Sequence, residues 1–156
     1  MSDTVFTQPR PIIPAVASLT TALTPIAEAT LRAATGLFML PHAAQKLFGW
    51  FGGYGLEATG QFFATKLGLP ASFALIASLV ELVAGVALAL GFATRIAGGA
   101  IAVLMAVAVV QVHLGAGFFW TNGGYEYPLL WAILGGYYAV TGGGRVSVDS
   151  AIGREI

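Results

Sequence analysis

The chain has 156 residues, with seven Lys+Arg, seven Asp+Glu and no Cys; 57% of it is apolar and 9% charged. A water-soluble domain carries about 25% charged residues, so this composition excludes an ordinary globular surface, and the balanced charge excludes a nucleic-acid partner held by phosphate attraction. Absence of Cys excludes disulfides, thiolate catalysis, iron–sulfur clusters and Cys-ligated zinc. The expectation is a small all-α integral membrane protein.

In chain order, residues 1–25 come first. Residues 12–23 are mildly apolar but broken by Ser18, Thr20 and Thr21, and Arg10 precedes them. That is a weak imitation of a signal peptide. The expectation is an N-terminal tail or surface-lying segment, with Pro25 opening the first span as a first-turn proline. Residues 26–48 form that span and carry Arg32, His42 and Lys46. In the following loop, Leu56, Thr59/Gly60, Phe63 and Leu67 recur at helical spacing while Glu57 and Gln61 fall off that line. This predicts a short amphipathic helix at the outer interface. Residues 71–90 hold one charge, Glu81, and residues 96–114 hold none; each approaches the roughly 20 residues needed to cross the hydrocarbon core. Residues 125–141 are shorter, with Trp120, Tyr125, Tyr127, Tyr137 and Tyr138 suited to interfacial belts. Residues 142–156 are read as a cytoplasmic tail. The architecture expected is a four-transmembrane-helix bundle, residues 26–141.

Four spans put both termini and the central loop on one side. That side holds Arg10, Arg32, Arg95, Arg145 and Arg154, against Lys46 and Lys66 on the other. The bias predicts both termini in the cytoplasm.

Ionisable groups at membrane depth cost about 3 kcal/mol on insertion scales, so they face protein or water. Counted at about 100° per residue, Arg32, His42 and Lys46 share one arc of the first span. Lys46 also suits snorkelling, and Pro41 predicts a local kink. Glu81 lies about 15 Å into its span at 1.5 Å per residue, and Ser78, Glu81 and Gly85 share its inward face. Glu81 is expected to be protonated or paired with Arg32 or Lys46, as part of a site or as a structural ion pair. Alternating helix directions bring His42, Lys46, His113, Trp120, Tyr125 and Glu126 to the outer leaflet, above Glu81. Proton-exchanging groups under an aromatic lid suit a quinone-like or phenolic ligand.

Other signals are weaker. Residues 53–58 (GYGLEA) imitate a dinucleotide fingerprint without its βαβ context. Neither haem on His42 and His113 nor a metal on His42, His113 and Glu126 is supported by spacing, and no repeats argue for a transporter.

Residues 31–49 (LRAATGLFMLPHAAQKLFG) resemble the DoxX family of small bacterial membrane proteins, as do 51–55 (FGGYG), Phe62-Phe63 and 68–70 (GLP). Glu81 with Gly85, 90–95 (LGFATR), Glu126 and 142–149 (GGGRVSVD) continue the pattern, which spans residues 29–149. Ala43 departs from it, because the family often has Gly after the histidine. The resemblance implies a four-helix membrane protein. Relatives are linked to quinone-coupled sulfur oxidation of the DoxD thiosulfate:quinone oxidoreductase type, to oxidative-stress complexes and to resistance against catechols and hydroquinones. The family's polar positions correspond here to Arg32, His42, Lys46, Glu81, Arg95, Glu126, Arg145 and Asp149, without assigned roles.

The leading expectation is a quinone-interacting subunit of an oxidoreductase system, with no metal and no covalent cofactor. Its ligand-binding residues would be His42, Lys46, Glu81, His113, Trp120, Tyr125 and Glu126. Arg32, Arg95, Arg145 and Asp149 are structural or motif positions. The alternative is a non-catalytic anchor or assembly subunit, docking through small-residue faces at Gly98, Gly99 and Ala102 or Gly135 and Gly136. A third reading is a carrier for aromatic compounds. Expected partners are the lipid bilayer and either protein subunits or further copies of the chain.

Overall fold

The computed structural model describes residues 11–155; Arg10 lies outside them. Every regular element among the described residues is helical. Helices α1 (Pro14–Leu37) and α2 (Met39–Phe48) form one rod broken at Phe38. After a short loop comes α3 (Gly55–Lys66). The next rod, Ser72–Leu90, consists of α4 (Ser72–Leu79), a π-helical turn (Val80–Ala84) and α5 (Gly85–Leu90). Helix α6 (Thr94–Ala108) continues through a second π-turn (Val109–His113) into a 3-10 turn (Leu114–Ala116). Helices α7 (Glu126–Thr141) and α8 (Val148–Ile152) complete the chain.

The first rod opens at Pro14, not Pro25. Pro14 occupies the first turn, where a missing N–H costs nothing. Pro25 lies inside the helix, and Thr20, Thr21 and Thr24 bond back to carbonyls of the preceding turn. The break comes instead at Phe38, where the kink expected from Pro41 is felt. Pro41 has no N–H for the Leu37 carbonyl, and its ring crowds that oxygen.

Close helix contacts are made by small residues. A Cβ on Gly98 would lie 2.7 Å from the Gly135 carbonyl oxygen, and one on Gly135 equally close to that of Gly98. These glycines were candidates for docking a partner; the fold uses them to join α6 to α7. Two apolar helices in a bilayer gain most by letting their backbones approach. Gly136, by contrast, faces open space. Gly36 seats against Gly85 and Ala89 in the same manner. Around these crossings lie Met39, Leu88, Ile101, Met105 and Tyr138. Tyr138 is therefore core rather than an interfacial anchor: it is 2% exposed, and its hydroxyl donates to the Glu28 carbonyl at 3.2 Å.

The amphipathic helix expected in the first long loop is α3. Thr59 and Gly60 are buried while Glu57 and Gln61 are exposed. Gly60 lies against Ala71 at the head of the next rod.

Among the described residues two helices are long and apolar enough to cross a membrane: Ser72–Leu90, mean hydropathy 2.4, and Thr94–Ala116, mean hydropathy 2.1. Only 39% and 22% of their most apolar windows are buried. Most of those side chains point outwards, unlike the core helix of a water-soluble protein. The first and last expected spans do not meet the same measure. Helix α7 has 16 residues, and α1 carries Glu28, Arg32 and a run of Ser and Thr before the break.

Candidate functional site

The strongest polar contact inside the apolar body joins α2 to the first π-turn. Lys46 Nζ stands 2.8 Å from Glu81 Oε1 and 2.9 Å from Oε2, so one ammonium spans both carboxylate oxygens. The Glu81 side chain is 5% exposed and that of Lys46 27%. Of the two partners expected for Glu81, Lys46 is the one observed. Ser78, Glu81 and Gly85 are all buried, so the face assigned to the interior is interior. Glu81 lies within the π-turn Val80–Ala84. Single π-turns inside α-helices concentrate at functional sites.

His42 does not join the pair through its ring. In α2 the buried positions are Met39 and Ala43. At about 100° per residue Lys46 falls in line with them, whereas His42 lies about 60° round from Met39. The His42 ring is exposed, and Lys46 reaches only the His42 carbonyl, at 3.5 Å. Buried Arg32, Gly36, Met39 and Ala43 keep one helical phase across the break at Phe38, and His42 stands at the edge of that arc, about 80° round from Arg32. His42 and Lys46 still stand one turn apart, both reaching the surface.

The other outer-loop residues form a second set. His113 ends the second π-turn, its Nδ1 2.6 Å from the Gly123 carbonyl. The ring nitrogen donates there, which leaves Nε2 for another group. Glu126 Oε2 accepts from the Trp120 backbone N–H at 3.1 Å. Trp120 stacks on Tyr127 at 5.6 Å, and Tyr125 meets Phe118 edge-on at 5.6 Å. Among the described residues no hydrogen bond or ring contact links this loop to His42, Lys46 or Glu81. Shared depth is thus resolved into two clusters.

The opposite end is tied by residues the sequence marks only as motif positions. Arg32 is 4% exposed. It donates to the carbonyls of Leu88 at 3.0 Å, of Val146 at 2.9 Å and of Gly143. Gly91 makes room for its guanidinium. Asp149 accepts from the Ala93 and Thr94 N–H groups at 2.7 and 2.9 Å and from the Thr94 hydroxyl at 2.7 Å. Burial alone would raise the Asp149 pKa; these hydrogen bonds and the nearby Arg32 outweigh it and hold the carboxyl below its usual range. Ser147 caps α8 through Ser150 N–H. Arg95 covers the Ala139 and Val140 carbonyls at the end of α7 and pairs with Glu155 at 2.9 Å. Arg145 is exposed. Residues read as a tail are thereby docked. Gly91, Ala93, Thr94 and Ser147 entered the sequence reading only within the family pattern, without a role; the Ser147-x-Asp149 spacing beside a helix start was the available signal.

An apolar groove of about 770 Å³ runs between Ser72–Leu90 and α6, lined by Ile76, Val83, Val86, Leu90, Ile96 and Ala100 among others. It opens on the outward face.

A family model described as DoxX matches residues 27–114. No curated protein and no solved structure matches the chain.

Proposed function

The chain belongs to the DoxX family and contains a DoxX membrane-protein domain; from that premise we propose that it is a quinone-interacting subunit of a membrane oxidoreductase system, serving sulfur-compound oxidation or quinone and oxidative stress. The observation that carries this reading is the Lys46–Glu81 pair, with its ammonium still partly exposed one turn from an exposed imidazole. A quinone head offers two carbonyl oxygens, and N–H donors on Lys46 and His42 suit them. When bound, a quinone would take up two electrons and two protons, the electrons coming from a partner subunit or a substrate.

Glu81 keeps Lys46 in position, and Lys46 orients the ligand by donating to an oxygen. His42, in contact with solvent, exchanges a proton at a ring nitrogen. Trp120, Tyr125, His113 and Glu126 shape the outer surface. The groove on the same rod gives an apolar chain a bed.

The proposal includes four spans, with both termini in the cytoplasm of a bacterial inner membrane. Supporting this, Leu129, Leu130, Ile133 and Val140 of α7 are exposed as a lipid-facing side would be. The 16 residues of α7 extend about 24 Å at 1.5 Å each, with Trp120 and Tyr127 at the end as interfacial anchors.

A second reading, a non-catalytic anchor or assembly subunit, draws on the Arg32 and Asp149 contacts. There the polar groups serve the fold, and among the described residues no buried side-chain N or O lacks a partner. Native mass spectrometry after gentle detergent extraction from the protein's own membranes separates the two. The expected result is a quinone-mass adduct on the wild type that is lost from the charge-neutral double variant Lys46→Met/Glu81→Gln. A ligand-free chain held stoichiometrically in a larger assembly supports the anchor reading instead.

A further inference from the structure

The first half of α1 projects from the helix body. None of residues 11–27 is buried, and none carries a charge. Along it Val16, Leu19, Leu23 and Ile26 are between 48% and 60% exposed. At about 100° per residue they fall within an arc of about 80°. Leu37, 51% exposed, lies in the same arc about three turns beyond the segment. Arg32, buried against the body, lies on the opposite side. The apolar stripe therefore lies on the outward face of α1, and Thr30, its hydroxyl donating to the Ile26 carbonyl, stands in the same arc between Ile26 and Leu37.

We infer that residues 12–27 lie against the lipid surface through this uncharged apolar stripe, with Pro25 as the point where the helix can bend toward the bilayer. Continuity is the first argument: the stripe lines up with exposed Leu37, inside the domain matched by the DoxX membrane-protein family model. The second comes from the polar side. Ser18, Thr20, Thr21 and Thr24 bond to carbonyls of their own helix, so their donors need no partner. Lacking Lys and Arg, the segment gains nothing from anionic headgroups; its binding rests on apolar burial and responds to lipid packing. This inference stands apart from the quinone reading.

The chain has no Cys, so single spin labels are unambiguous. The full-length protein, labelled at Leu19→Cys or Thr21→Cys and reconstituted in phosphatidylcholine vesicles, is tested by power saturation. Positions 19 and 21 lie about 160° apart on the helix, and both are exposed, so neither label disturbs packing. The expected result is a label at 19 relaxed by lipid-dissolved oxygen and shielded from a water-soluble nickel chelate, the reverse at 21, and no change on adding salt or diluting the protein in lipid. Equal access of nickel to both positions overturns the inference, because the helix then stands in water. Shielding at 19 that disappears on dilution also overturns it, because a second copy is then the cover.

Discussion

Lys46 and Glu81 set the energetics of the interior. Breaking a buried pair strands a charge and costs about 3–5 kcal/mol, whereas replacing both partners by neutral groups of similar volume is often tolerated. Lys46→Met alone is therefore expected to lower thermal stability in detergent sharply. Adding Glu81→Gln is expected to recover most of the loss, and a double variant as unstable as the single one would refute this account of the pair. Asp149 makes a pH prediction. Its folded pKa is depressed, so its contribution is fully present above the unfolded value of about 3.9 and is lost as pH falls through the lower folded value. Acid titration of the melting temperature is expected to show a drop below about pH 4 in the wild type, and a smaller one in Asp149→Asn. At neutral pH that substitution leaves one of the three donors from Ala93 and Thr94 poorly matched, at about 1–3 kcal/mol. Glu81 was legible in the sequence because a carboxyl at mid-span demands a partner. The partners of Asp149 were not, because backbone donors carry no sequence signature.

At the scale of the helices, hydropathy made the rods of residues 71–90 and 96–114 plain, and period made α3 plain. The two π-turns left no such mark, since one widened turn barely alters the spacing of Ser78, Glu81 and Gly85. The break at Phe38 was foreshadowed by Pro41, and His42, at the edge of the arc it shares with Arg32 and Lys46, is exposed. Gly98 and Gly135 show how composition reads ambiguously: a small-residue face suits an internal crossing as well as an external one. They also give a paired test. In Gly98→Ala the new methyl meets the Gly135 backbone, and the expected cost is about 1–3 kcal/mol from overpacking. In Gly136→Ala nothing lies within 4 Å, and the better helix propensity is expected to leave stability unchanged or raise it by up to about 1 kcal/mol. Equal effects from the two substitutions would show that the α6–α7 crossing is not as described.

For the molecule as a whole, the balance of Arg over Lys predicts sidedness, and the proposed four spans make that measurable. Single cysteines at Trp50 and Trp120, both exposed, are expected to react with an impermeant maleimide added outside spheroplasts. Cysteines at Thr21 and Ser150 are expected to react only after lysis. Labelling of position 150 from outside would remove one span from the bundle. The candidate site was legible as a set of depths, since helix direction follows from span count. Rotation and neighbour order do not follow from it, which is why one outer cluster in the sequence became two in space: Lys46 with Glu81, and His113 with the loop to Glu126.

The guanidinium of Arg32 reaches forward to Gly143 and Val146, 111 and 114 residues further along the chain. At a synthesis rate of about 5–20 residues per second, those acceptors leave the ribosome roughly 5–20 s after Arg32 itself. Until then the first rod holds a cation short of two of its three carbonyls. The contacts with Gly143 and Val146 thus lock the first rod only after α7 has been made. A product truncated before Gly143 keeps this arginine short of those two acceptors.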